Sequence, residues 1–148
     1  MKYQTEIEIN LPVEKVIELF DNPDNMKHWM AGLQSFEHLS GTPGQPGSKS
    51  RLRFKMGSRD MELIETVTKR NLPEEFTGTY ETKGVFNIVK NTFVALPGGK
   101  TKYITESEFQ FQSFPMKVMG WLMPGAFKKQ SLKYQQDFKT FAESRSRD

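Results

Sequence analysis

Residues 2–29 read KYQTEIEINLPVEKVIELFDNPDNMKHW, and the hydrophobic period changes within this stretch in a way that decides the architecture. From Lys2 to Ile9 the residues alternate. Tyr3, Thr5, Ile7 and Ile9 share one face, and Lys2, Gln4, Glu6 and Glu8 share the other, the pattern of a strand with one wet side. Beyond Leu11 the period becomes helical, with Val13, Val16, Ile17 and Phe20 on one side. Pro12 suits the first turn of that helix, and Asn10 is placed to cap it. Asn22-Pro23 ends the helix, because the residue before a proline is pushed out of helical geometry. A second short helix then runs to about Trp29, so a strand is followed by a bent pair of short helices.

Working outward, the chain from Leu33 alternates again. QSFEHLSG leads into the turn TPGQPG, and SKSRLRFKM sets Leu52, Phe54 and Met56 against Arg51, Arg53 and Lys55. Gly57-Ser58 turns the chain into RDMELIETVTKR, and NLPEEF is a loop. FTGTYETKG and VFNIVKNTFVAL follow as strands hinged at Gly84. After Pro97-Gly98-Gly99, TKYITESEFQFQ is the last strand, and the tail from about Phe114 to Ser144 is helical. Six consecutive strands with short links favour antiparallel neighbours. The expected fold is α+β: a seven-stranded curved antiparallel sheet whose open face is covered by a C-terminal helix of roughly 40 Å, at 1.5 Å per residue. No repeat, low-complexity linker or boundary interrupts it, so residues 1–148 read as one domain.

The totals agree with that reading. A chain of 148 residues, 36% hydrophobic and 26% charged, can bury a core and is neither a disordered polyelectrolyte nor membrane-spanning. No apolar run approaches the roughly 18 residues that cross a bilayer, and the N-terminus has no apolar leader-like segment. Zero cysteines exclude disulfides and thiol chemistry and fit a cytoplasmic setting without stable membrane insertion. The net charge of +3 is carried by scattered lysines and arginines, which argues against a nucleic-acid partner.

Three stretches carry a family resemblance: VEKVIELFDNPDNMKHW at 13–29, GTPGQPGSKSRL at 41–52 and SLKYQQDFKTFAE at 131–143. With the element order, they resemble the START-related superfamily (SRPBCC, also called polyketide cyclase/dehydrase-like or birch-pollen-allergen-like). The resemblance covers the whole chain and implies a helix-grip fold, in which the sheet wraps the long helix around an apolar cavity. Members bind lipids, sterols, polyketides or other hydrophobic compounds, some as cyclases or hydrolases and some without catalysis. The superfamily has no shared catalytic signature to carry over.

In the C-terminal helix Phe127, Ser131, Tyr134, Phe138 and Phe141 form one stripe, which extends back through Met123, Gly120 and Met116. Pro124 should kink or restart the helix near residues 120–125. Gly120 and Ser131 leave gaps in the stripe that sheet side chains or a ligand must fill. Met116, Met119 and Met123 suit irregular apolar contents. The stretch MKVMGWLMPGAF at 116–127 has no polar face, so it can roof a cavity, meet a partner such as a second copy in a homodimer, or touch a membrane surface.

On the sheet, alternation turns Phe54, Glu65, Tyr80, Asn87, Asn91, Tyr103 and Phe109 toward the expected cavity. A desolvated Glu65 would have a raised pKa and act as general acid or base, with Tyr80 and Tyr103 orienting a carbonyl. The alternative is a strand-edge carboxylate with core tyrosines. His28 and His38 form no ligand pair with an acidic residue, so no metal or other cofactor is expected. The leading expectation is binding of a hydrophobic small molecule in a cavity between the sheet and the C-terminal helix. A cyclase- or hydrolase-type enzyme and a protein-interaction module are the alternatives.

Overall fold

The computed structural model describes residues 1–145. Strand β1 (Lys2–Ile9) leads into α1 (Val13–Phe20) and a 3₁₀ helix (Pro23–His28). Six strands follow: β2 (Leu33–Ser40), β3 (Lys49–Met56), β4 (Arg59–Asn71), β5 (Glu75–Thr82), β6 (Val85–Leu96) and β7 (Lys100–Phe111). The chain ends in α2 (Phe114–Leu122) and α3 (Pro124–Arg145). The sheet order is β1-β7-β6-β5-β4-β3-β2, with every neighbouring pair antiparallel. β1 and β2 are therefore the two edges, and the short helices carry the chain from one edge to the other. This is the helix-grip fold.

The alternating pattern decides what lies inside. On β7, Thr101, Tyr103, Thr105 and Ser107 are buried, and β1 faces them with Thr5 and Ile9. Opposite them, on the outer face, charges pair across strands: Arg51 lies 3.0 Å from both Glu37 and Glu62. The core is completed by Val16 and Leu19 of α1, Leu52 and Phe54 of β3, and Phe138 and Ala142 of α3. Phe20, the last residue of α1, joins these layers. Its ring lies 4.9–5.9 Å from those of Trp29, Phe76, Phe93, Tyr103 and Phe138, within the spacing at which aromatic pairs add to their burial.

Two local expectations change, the Asn10 cap and the length of the final helix, while the restart expected near residues 120–125 is found at Pro124. Asn10 does not cap α1. Pro12 holds the N-cap position without a side-chain cap bond, and the Asn10 backbone N–H donates to Glu143 at 3.0 Å. The 3₁₀ helix does have a side-chain cap, Asn22 accepting from the Asp24 N–H at 3.0 Å. The C-terminal helix is two helices, because Pro124 starts α3 at a position where a missing N–H costs nothing. The 22-residue α3 spans about 33 Å, shorter than expected.

Candidate functional site

One register line crosses the sheet perpendicular to the strands. His38 pairs with Ser50, Ser50 with Glu65, Glu65 with Tyr80, Tyr80 with Asn87, and Asn87 with Phe109. Directly paired residues share a face, so this row of mostly polar side chains lies across the concave side. Its first four members line a cavity of about 100 Å³. The remaining walls are mainly apolar and aromatic, with Phe20, Met26, Trp29, Phe36, Val67 and Phe76, and also include Asp21 and Ser48. The cavity lies between the α1 and 3₁₀ segment and strands β2–β5. Among the described residues none of α2 or α3 lines it, so this cavity is not the one expected between the sheet and the C-terminal helix.

Burial is the main electrostatic influence here. It pushes the Glu65 carboxyl above its ordinary range, partly opposed by the hydrogen bond with the Tyr80 hydroxyl. Tyr80 is pushed well above its ordinary value, first by burial and then by the charge and hydrogen bond of Glu65. Glu65 keeps part of its surface open to the cavity, yet it is crowded enough for desolvation to dominate. Trp29 adds a buried indole N–H with no hydrogen-bond partner among the described residues. The cavity mouth is strapped by Arg70, which donates to Asp21 at 2.8 Å and to the Gly44 carbonyl at 3.3 Å. Asp21 and Gly44 both line the opening.

The structure brings together only some of the residues singled out from sequence. Glu65 and Tyr80 meet in the cavity. Tyr103 instead donates to Asn91 Oδ1 at 3.1 Å, in a buried pair with Thr105 also bonded to that oxygen. Burial lifts the Tyr103 pKa to about 12. Asn87 donates to the Ser107 hydroxyl at 2.9 Å and the Glu108 carbonyl at 3.0 Å. Phe54 is core. Phe109 and Phe127 form a second aromatic group with Phe111, ring centroids 4.8–5.9 Å apart.

The gaps in the helical stripe are filled by sheet side chains. A Cβ on Gly120 would lie 2.5 Å from the Phe111 ring, so the glycine lets α2 settle onto that ring. Ser131 is bonded to the Tyr3 hydroxyl at 2.7 Å. Met116 rests against Gly84 in the β5–β6 turn. Met123 faces away from the interior, a correction that follows from its position in the break between α2 and α3. The Met119 side chain lies outside the described residues.

Reading the sequence for chemistry missed Phe20, Trp29, Phe36, His38, Ser50 and Phe76. Their alternation or helical phase was visible, but which strand faces which was not. It also missed Gln135. This residue is 1% exposed and donates to the Thr105 hydroxyl at 2.9 Å and to the carbonyls of Thr5 and Tyr103 at 3.3 Å. Among the described residues no group of three or more His, Cys, Asp or Glu is placed to hold a metal ion, and no helix is long and apolar enough to cross a membrane.

Solved structures share the fold at low sequence identity. The Zhui aromatase/cyclase of Streptomyces sp. R1128 is 12% identical with a TM-score of 0.83, covering 99% of this chain and 95% of that one. Ara h 8.0201 is 14% identical with a TM-score of 0.76, covering 97% and 98%. Ginseng major latex-like protein 151 from Panax ginseng is 13% identical with a TM-score of 0.75, covering 96% and 97%. No match was found among curated proteins. Residues 1–142 match the family described as polyketide cyclase / dehydrase and lipid transport, and the chain belongs to that family.

Proposed function

We propose that the protein binds a compact hydrophobic molecule bearing a polar group, non-covalently, in the cavity between the α1 and 3₁₀ segment and β2–β5. One observation carries this reading. Glu65 and Tyr80 are hydrogen-bonded to each other on a cavity whose other walls are mainly aromatic and aliphatic, Trp29 among them. Such a site matches the usual chemistry of ligand pockets, apolar lining with a few polar groups that fix orientation. The cavity is about 100 Å³ and open at its mouth, smaller than the roughly 150 Å³ that holds benzene, so it takes a short chain, or one small ring that reaches into the mouth.

The test is native mass spectrometry of the purified protein, followed by organic extraction and titration with phenols, aromatic acids and short-chain fatty acids. A Trp121→Phe variant leaves Trp29 as the only indole, so its emission reports occupancy of the cavity. The reading predicts a co-purified small molecule or saturable titration by one of these classes, weakened by Tyr80→Ala. If nothing extracts and no probe perturbs Trp29, the proposal fails.

The Glu65–Tyr80 pair favours a second reading, an enzyme of the cyclase or hydrolase kind. A carboxyl whose pKa is raised by burial holds its proton more tightly and can serve as a general acid, and a neutral tyrosine can donate to a carbonyl oxygen. Under this reading Glu65→Gln retains binding and loses turnover. Under simple binding the two variants differ only in affinity.

A further inference from the structure

α2 has its apolar side turned outward. Phe114, Val118, Trp121 and Leu122 are spaced i, i+4, i+7, i+8, one face of a helix, and all four are exposed. Phe114 is 78% exposed, Trp121 80% and Leu122 65%, and Met123 follows in the break. The opposite side of α2 is the one that packs, through Gly120 on Phe111 and Met116 on Gly84. A soluble monomer has no folding reason to hold two aromatic rings and a leucine in water on the same helix face.

The charge around this face is one-sided. From residue 109 to residue 136 there are four lysines and no acidic residue. Lys133 is neutralised by Asp137 at 2.7 Å. Lys117, Lys128 and Lys129 are exposed and make no ion pair among the described residues. Lys83, exposed at the β5–β6 turn beside Gly84, adds a further positive charge where Met116 rests.

We propose that α2 and the start of α3 dock the protein onto an anionic lipid surface. Phe, Trp and Leu would enter the headgroup boundary while the flanking lysines meet lipid phosphates. Tryptophan suits that depth, having an apolar body and a polar N–H. A second copy of the chain fits less well. A two-fold contact through α2 would set the same lysines against each other, and lysine is depleted at protein interfaces. The docking face shares no lining residue with the cavity, so this inference stands or falls independently of the ligand.

The experiment is sedimentation of the full chain with vesicles of phosphatidylcholine alone and of phosphatidylcholine mixed with phosphatidylglycerol. Binding to the anionic vesicles is expected, falling as salt is raised, with a blue shift in Trp121 emission while buried Trp29 contributes a constant background. Trp121→Ala with Leu122→Ala should weaken binding roughly tenfold or more, from the apolar burial lost. Lys128→Glu with Lys129→Glu should weaken it by roughly 25-fold or more, at about fivefold per lysine. These side chains are exposed, so circular dichroism and thermal melting should not change in either variant. Absence of binding to anionic vesicles overturns the proposal, as does binding by both variants that is undiminished from the wild type. Gel filtration that shows a wild-type dimer turned monomeric by the Trp121 and Leu122 substitutions, with no vesicle binding, assigns the face to a second copy instead.

Discussion

Glu65 shows how one residue reports on its surroundings. Its carboxyl is held above the ordinary value of 4.5, mainly by burial. For an acid whose folded pKa is raised, the folded state binds the proton more tightly than the unfolded chain does. Stability is then greatest below the unfolded pKa and is lost as pH rises through the folded one. Glu65→Gln keeps an acceptor for Tyr80 and cannot ionise. It should therefore raise the melting temperature above the folded pKa of Glu65, and the gain should vanish as pH falls to and below the ordinary value of 4.5. Paired thermal melts of the two proteins across that range check this. Gln135 makes the opposite case, because its side chain is buried and holds α3 to β1 and β7. Gln135→Ala leaves a void and removes three donated bonds, and should cost about 2–4 kcal/mol in urea unfolding. Glu65 could be chosen from sequence because a lone carboxylate among apolar alternating residues stands out. Gln135 could not, since a glutamine in a polar helix stretch looks solvated.

Among the elements, α1 matters most for the site, since its last residue joins the core to the cavity wall. Phe20→Ala would remove the ring that touches five others, with an expected loss of about 3–5 kcal/mol in chemical denaturation. The strap from β4 is weaker. Arg70 and Asp21 are partly exposed, so Arg70→Ala should cost only about 1 kcal/mol despite the bidentate geometry. Under the proposed function the same variant should speed ligand exchange, read as a faster off-rate in the Trp29 assay. The elements themselves were legible as periodicities of 2 and 3.6. Their ends were less so, because a cap depends on which side chain reaches which N–H. Asn10 had the right composition for a cap, but it sits too early in the chain, and its N–H goes to Glu143.

For the whole molecule, the final helix closes the fold by covering one side of the sheet. A chain stopped after Met123 would lose Phe138 and Ala142, both fully buried. It should then show no cooperative thermal transition and should bind hydrophobic dyes, as checked by calorimetry and dye fluorescence. The sequence by itself determined the strand and helix content, the inward faces of the strands and the likeness to a helix-grip superfamily, because these follow from local period and turn residues. Only the tertiary structure decided that β1 pairs with β7, and set the register from β2 to β6 that places His38, Ser50, Glu65, Tyr80 and Asn87 in one row. It also decided that Gly120 and Ser131 are filled by Phe111 and Tyr3, and that the apolar stretch 116–127 is split between a packed side and an exposed one. The physical reason is common to all three. Periodicity states which residues share a face, but what that face meets depends on pairings between segments far apart in the chain, and these are set only when the whole sheet closes.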